Sequence, residues 1–260
     1  MPRRNWLKQS ILYDRLRTHG AYFTESHGWE RPDWFAPTPA QAHIERYSWG
    51  RQHWFEWHAE EHRAARQDVI VIDMSSMSKF LVQGRDACEL LNRVSCNDID
   101  VEPGRVVYTA WANEAGGFEA DLTVTRLEAD SFLVVVGENS DGHTATWLRR
   151  HVRPEQSVTI TDITAGITQI NIQGPKARDL LRTISAADVS HEGFPYMSAR
   201  RIDIGYFDVL AMRVTYVGEL GWELHVPSTQ AVQVYDLVMQ NGRQFGIRNA
   251  GMQTLASLRL

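Results

Sequence analysis

The sequence predicts an α+β fold made of an internally duplicated antiparallel sheet with helices, and three observations carry that expectation. First, KFLVQGRDACELLNRV at Lys79 to Val94 aligns without a gap on QINIQGPKARDLLRTI at Gln169 to Ile184. Gln83 then matches Gln173, Gly84 matches Gly174, Ala87 matches Ala177, and Leu90 and Leu91 match Leu180 and Leu181. Second, at the same offset DLTVTR (Asp121 to Arg126) falls on AMRVTY (Ala211 to Tyr216), and Phe132 to Trp147 falls on Trp222 to Leu237. Third, each copy reads as strand, glycine turn, helix, two or three antiparallel strands and a closing helix. The halves cover about 77–151 and 167–245. Two copies are too few for a solenoid, and a duplicated α+β domain tends to place its ligand where its halves meet.

The chain has 260 residues, 43% of them hydrophobic, enough for a sizeable core. A formal net charge of -5 argues against a nucleic-acid partner, because phosphate binding needs a basic surface. Apolar runs such as Phe132 to Val136 are far too short to span a bilayer, so no membrane association is expected. The start, MPRRNWLKQS, has no apolar run behind its arginines and is not a secretory signal, although it is compatible with a short mitochondrial presequence. The expected location is cytoplasmic, or the mitochondrial matrix in a eukaryote. Cys88 and Cys96 form no CxxC and read as reduced thiols.

Residues 1–57 hold six of the nine tryptophans, Trp6, Trp29, Trp34, Trp49, Trp54 and Trp57, interleaved with prolines and glycines. They are expected to form an irregular aromatic arm or linker with one short helix near Ser10 to Arg17. The arm packs on its own domain or docks on another subunit. A helix at about Phe55 to Gln67 follows and carries HAEEH at His58 to His62. That spacing matches the HxxEH of one metalloprotease class, but the helix is heavily charged and no distal acidic ligand stands out, so no metal site is assigned. Residues 58–260 are expected to be the duplicated domain. The end, GMQTLASLRL, reads as a helix start without a stop signal and suggests an interrupted domain.

Two carboxylates stand out. From Glu119 to Thr125 the side chains alternate, with Glu119, Asp121, Thr123 and Thr125 on one strand face and Ala120, Leu122 and Val124 on the other, so Asp121 sits mid-strand on a polar face. In the second copy the run YVGELGWE places Glu219 between Gly218 and Gly221, which suit a tight turn. Both copies thus aim a carboxylate near the same part of the motif, although on pattern alone each residue reads first as an ordinary solvated side chain. There is no GxGxxG after a strand, no GxxxxGK[ST] and no GxSxG, so nucleotide and serine-hydrolase readings lack their first requirement.

Several motifs in order, DMSSMSKFLVQG (Asp73 to Gly84), GRVVYTAWANEAGGFEADLTVTRL after Pro103, INIQGP (Ile170 to Pro175) and RVTYVGELGWEL (Arg213 to Leu224), resemble the folate-binding domain of the glycine-cleavage T-protein (aminomethyltransferase) family. The opening LKQSILYDRLRTHGAYFTESHGWERPDWF is similar to one branch, the T-protein-like portion of dimethylglycine and sarcosine dehydrogenases. Those relatives carry a flavin domain ahead of this region and a small β-rich barrel domain after it. The resemblance therefore implies tetrahydrofolate as cofactor, no FAD site in this chain, a C-terminal barrel missing, and a flavin dehydrogenase subunit or domain as partner.

Carried over by motif, the resemblance implies Asp121 as the catalytic carboxylate and Glu219 as the residue that grips the pterin. Met77 and Tyr108 are implied beside the pterin, with Glu223 a weaker candidate. The implied reaction is one-carbon transfer to a reduced folate, giving 5,10-methylenetetrahydrofolate from a methylamine-derived imine, an aminomethyl group or formaldehyde. A carboxylate accepts two N–H donors of a pterin as a bidentate pair, and another beside the folate amine takes the proton lost as the new bond forms. The alternatives are a non-catalytic folate-binding domain docking on a separate flavin subunit, and a folate-dependent demethylase acting on a methylated sulfur or oxygen.

Overall fold

The computed structural model describes residues 7–44, 47–137 and 141–260, so Trp6 and the arginines of the start lie outside the described residues. In chain order the elements begin with β1 (Lys8–Gln9), α1 (Tyr13–Thr18), β2 (Ala21–Ser26), β3 (Trp29–Phe35), α2 (Phe55–Gln67) and β4 (Ile70–Asp73). The first copy of the repeat follows as β5 (Ser78–Gln83), α3 (Ala87–Val94), β6 (Val106–Ala112), β7 (Phe118–Glu128), β8 (Ser131–Val136) and α4 (Asp141–His151), and β9 (Thr159–Asp162) comes between the copies. The second runs β10 (Ile167–Gln173), α5 (Ala177–Ile184), β11 (Ala199–Ile204), β12 (Phe207–Met212), β13 (Gly221–Pro227) and α6 (Ala231–Gly242), before β14 (Arg248–Asn249) and α7 (Met252–Leu258).

The chain divides into two compact units. One is Ser75–Ile167 with Tyr196–Arg200, and its five-stranded sheet has the order β6-β7-β8-β5-β9. Phe80, Val82, Leu122, Val124 and Phe132 from this sheet cluster with Leu90, Leu91 and Leu148 of α3 and α4. The other unit runs up to Met74 and adds Thr168–Pro195 and Arg201–Leu260, with a six-stranded sheet in the order β11-β12-β13-β10-β4-β14. There Ile170, Ile172, Trp222 and Leu224 pack with Leu180, Leu181, Val234 and Val238 of α5 and α6.

The duplication is visible in detail. Gly84 and Gly174 join strand to helix at φ +132° and +133°, a backbone that L side chains rarely adopt. A Cβ there would fall 2.1 Å from the Ser157 carbonyl oxygen or 2.5 Å from that of Asp68. The helices that follow bury matching quartets, Ala87, Leu90, Leu91 and Val94 against Ala177, Leu180, Leu181 and Ile184. The leading strands, however, are exchanged. β4 precedes the first copy yet pairs antiparallel with β10 of the second, Ile170 opposite Asp73; β9 precedes the second copy yet pairs with β5 of the first, Phe80 opposite Asp162.

Where the sequence suggested an irregular aromatic arm, the structure has a β-hairpin. β2 and β3 are antiparallel neighbours joined by His27 at φ +50° and Gly28 at φ +81°, the two positive values that a type I′ turn requires. Pro32 is accommodated because the short β1 pairs only with Trp29 and Glu30, which leaves its missing N–H on an open edge. The expected helix is shorter than predicted and starts at Tyr13. Trp34 is fully buried and stacks on Tyr22 at 4.7 Å and on Trp54 at 5.5 Å, so these three, with Trp57, form a small core of their own, while Trp49 is exposed.

One buried carboxylate ties this hairpin to the rest of its unit. Glu61 of α2 accepts the Phe35 N–H at 2.7 Å, the Gly251 N–H at 2.9 Å and the Thr254 hydroxyl at 2.7 Å. Gly251 is required there, since a Cβ would meet the Asp33 carbonyl oxygen at 2.2 Å. His58, three residues before Glu61, and His62, the residue after it, both reach the Ser257 hydroxyl, at 3.2 and 3.0 Å. The HAEEH run therefore forms a polar seam between α2 and α7. Among the described residues no group of three or more His, Cys, Asp or Glu could hold a metal ion.

Burial pushes the Glu61 carboxyl up to about 7, against the pull of its three donors. A raised carboxyl value means that the folded state holds the proton more tightly than the unfolded chain. Its contribution is therefore greatest below the unfolded value and is lost as pH rises through about 7. Urea unfolding should accordingly show stability falling between pH 5 and 8, by on the order of 3 kcal/mol for this group, and the dependence should flatten in Glu61→Gln. Gly174→Ala should lose more than about 2 kcal/mol in the same assay, through backbone strain and the collision with Asp68.

Candidate functional site

Asp121 lies in β7 directly opposite Ala110 of β6, and the neighbouring pair Tyr108 and Thr123 shares its face. Alanine is too short to cover a carboxylate across the strand. Asp121 is exposed, and among the described residues its carboxylate has no hydrogen bond or ion pair. Tyr108 is 59% exposed on one side, and Phe118, brought opposite Ala112 by a bulge, is 69% exposed on the other. The arrangement is an unpartnered anion set between two solvent-facing aromatic rings. It can accept a proton or a hydrogen bond beside a flat apolar group.

The alternation read from Glu119 to Thr125 holds for the apolar face, where Ala120, Leu122 and Val124 are buried. The polar face departs from it at both ends. Glu119 is the extra residue of the β7 bulge, and its carboxylate accepts the Asn113 amide at 2.8 Å and pairs with His143 at 2.9 Å. Thr125 is fully buried. Only Asp121 and Thr123 remain on the accessible face.

Met77 belongs to the same unit, in the bend between β4 and β5, with its side chain buried at 4% exposure. Its carbonyl accepts the ammonium of Lys79 at 2.7 Å, and that of Ser75 does so at 3.2 Å. Lys79 is itself fully buried. The sequence reading did not single it out, because a lysine in a strand is ordinarily solvated.

Glu219 and Glu223 belong to the other unit. The tight turn expected at Gly218 to Gly221 is instead an irregular segment, residues 213–220, between β12 and β13. Gly218 has φ +76°, but Gly221 already lies in β13, where a Cβ would meet Gln173 Oε1 at 2.3 Å. Asp121 and Glu219 therefore occupy different places in the repeat, one mid-strand and one before a strand. Glu219 is partly exposed, and its Oε1 accepts Arg66 of α2 at 2.6 Å. Glu223 of β13 is 4% exposed and faces Asn171 Nδ2 and His225 Nε2, each at 3.4 Å.

The model of the GCVT N-terminal domain family matches residues 12–260. The chain belongs to that family. A 4-methylaminobutanoate oxidase (formaldehyde-forming) of Paenarthrobacter nicotinovorans is 40% identical over 97% of this chain and 30% of its own length. The mitochondrial pyruvate dehydrogenase phosphatase regulatory subunit of Mus musculus is 36% identical over 98% of this chain and 30% of its own. Human mitochondrial dimethylglycine dehydrogenase is 32% identical over 96% and 29%. The chain thus spans about 30% of the length of the relatives it matches. The glycine cleavage aminomethyltransferase of Bartonella henselae has the same fold, with a TM-score of 0.79 at 22% identity over 97% of this chain and 62% of that one. The duplicated α+β architecture and the likeness to the dimethylglycine and sarcosine dehydrogenases are thereby established for this GCVT domain, and no described helix is long and apolar enough to cross a membrane.

Exposure separates the candidate carboxylates by what their loss costs. Asp121→Asn should change stability by no more than about 0.5 kcal/mol, as for an unpartnered surface group. Glu223→Ala, which strips a buried site of its acceptor, should lose about 2 kcal/mol or more in parallel thermal or urea melts.

Proposed function

We propose that this GCVT domain carries one-carbon transfer to a reduced folate, with Asp121 as the catalytic carboxylate and Glu219 holding the pterin. The observation that supports this reading best is the unpartnered carboxylate of Asp121 opposite Ala110, with the Tyr108 ring beside it. Tetrahydrofolate is the acceptor substrate; Tyr108 offers a ring on which a flat heterocycle stacks, and Met77 backs the same unit from within. Glu219 keeps Oε2 available for an N–H donor of the pterin while Oε1 is held by Arg66.

The chemistry follows from charge. Joining a one-carbon unit to a folate amine places positive charge on that nitrogen, and Asp121 stabilises the charge and takes the proton as the C–N bond forms. With formaldehyde as donor, two amine N–H bonds are exchanged for the methylene bridge and water leaves; with an imine or aminomethyl donor, an amine leaves instead. Holding the two reactants in line supplies much of the remaining acceleration. The donor is a methylamine-derived species released by a flavin dehydrogenase domain or subunit, a reading supported by the oxidase and dehydrogenase names of the relatives.

A second reading, a folate-binding or docking domain without turnover, is favoured by the relative that is named a regulatory subunit. One pair of measurements separates the two. Asp121→Ala should keep tetrahydrofolate binding, followed by quenching of tryptophan fluorescence, and lose formaldehyde-dependent methylenetetrahydrofolate formation by at least about a hundredfold. Intact binding with no turnover in the unsubstituted chain supports the docking reading instead.

A further inference from the structure

We infer that Arg66 is the positioning residue for Glu219, and that it sets the affinity of the folate site by fixing where that carboxylate points. The inference rests on the reading of Glu219 given above and adds a residue that neither the repeat nor the sequence motifs single out.

Between its last two strands, over residues 213–220, the second copy departs from the geometry of the first. In the first copy β7 continues to Glu128 and turns directly into β8, with Glu128 opposite Ser131. Its turn is clamped by Arg126, which donates to the Ala129 carbonyl at 2.8 Å. In the second copy β12 stops at Met212, and Tyr216 stands at the position of Arg126. The internal clamp is gone. The segment is pinned at its start by Arg213, whose guanidinium reaches the Phe194 carbonyl at 2.6 Å, and at its end by the Gly174 N–H on the Leu220 carbonyl at 2.8 Å. Glu219 comes one residue before that second pin, and its side chain is held by a residue from outside the repeat.

Arg66 supplies that hold. From the last turn of α2 it donates to Glu219 Oε1 at 2.6 Å, to the Val217 carbonyl at 3.2 Å and to the Leu258 carbonyl of α7 at 3.4 Å. One planar guanidinium thus fixes a side chain, the backbone two residues before it, and the end of a second helix. A lysine has the charge but no fork with which to span all three. The pair leaves Oε2 unclaimed and removes rotamers in which the carboxylate turns away. A pterin then binds without having to order Glu219 itself.

The test is a double-mutant cycle on tetrahydrofolate binding, read by tryptophan fluorescence, with circular dichroism melts to confirm that each variant is folded. Arg66→Ala should weaken binding about tenfold, and Arg66→Lys should recover part of that loss. In a Glu219→Gln background Arg66→Ala should weaken binding no further. An unchanged affinity in Arg66→Ala, or the same fold-loss in both backgrounds, overturns the inference, because the arginine then acts on the fold at large and not through Glu219. If the unsubstituted chain does not bind tetrahydrofolate at all, the folate reading itself falls and takes the inference with it.

Discussion

The antiparallel pairing of β4 on β10 and of β9 on β5 is the constraint on which the rest of the molecule hangs. Each half of the repeat gives its leading strand to the sheet of the other half, so neither sheet is completed by one continuous copy. The consequence reaches the chemistry through α2. Only Asp68 and Val69 separate that helix from β4, so wherever β4 pairs, α2 must follow. The exchange therefore delivers Glu61 and Arg66, which precede the first copy, to the unit that holds the second. A helix outside the duplication thereby braces both the N-terminal hairpin and the segment that carries Glu219.

The acidic side chains divide sharply by what surrounds them. Glu61, Glu119 and Glu223 are each committed to donors from other elements, and Glu219 is half committed through one oxygen. Burying a carboxylate is tolerable only when its lone pairs are filled, and Glu61 shows the residual cost in its upward-shifted titration. Asp121 has no such role in holding the fold. A group that stabilises nothing and stands between exposed rings is free to meet a ligand.

Much of this architecture was legible because glycine and leucine leave unambiguous marks. Gly84 and Gly174 sit where only a residue without Cβ fits, and the leucine pairs that follow have one helical face to bury, so the ungapped alignment translated directly into matching turns and helices. The exchange of β4 and β9 left no such mark, since a short apolar strand carries no label for its partner. The hairpin of β2 and β3 was hidden because its turn uses His27 at positive φ, and because Pro32 argues against a strand unless the edge is known to be open. At the candidate site the alternation put Asp121 on the exposed face of β7, as the structure has it, while the bulge that removes Glu119 from the same face depends on cross-strand register. Arg66 was invisible for a related reason. Its partner lies far along the chain, and an arginine on a charged helix looks like any solvated one.

The exchange also makes one unit an insert within the other. Ser75–Ile167 is a continuous run that contains every strand of its own sheet, whereas the host unit needs segments from before and after it. On a ribosome the sheet of the insert is therefore complete while the hairpin, α2 and β4 still await β10, which emerges only after roughly ninety further residues. Throughout that interval β4 lacks both of its sheet neighbours, β10 and β14, so its backbone hydrogen-bonding groups and its apolar side chains wait on chain that has not yet been made.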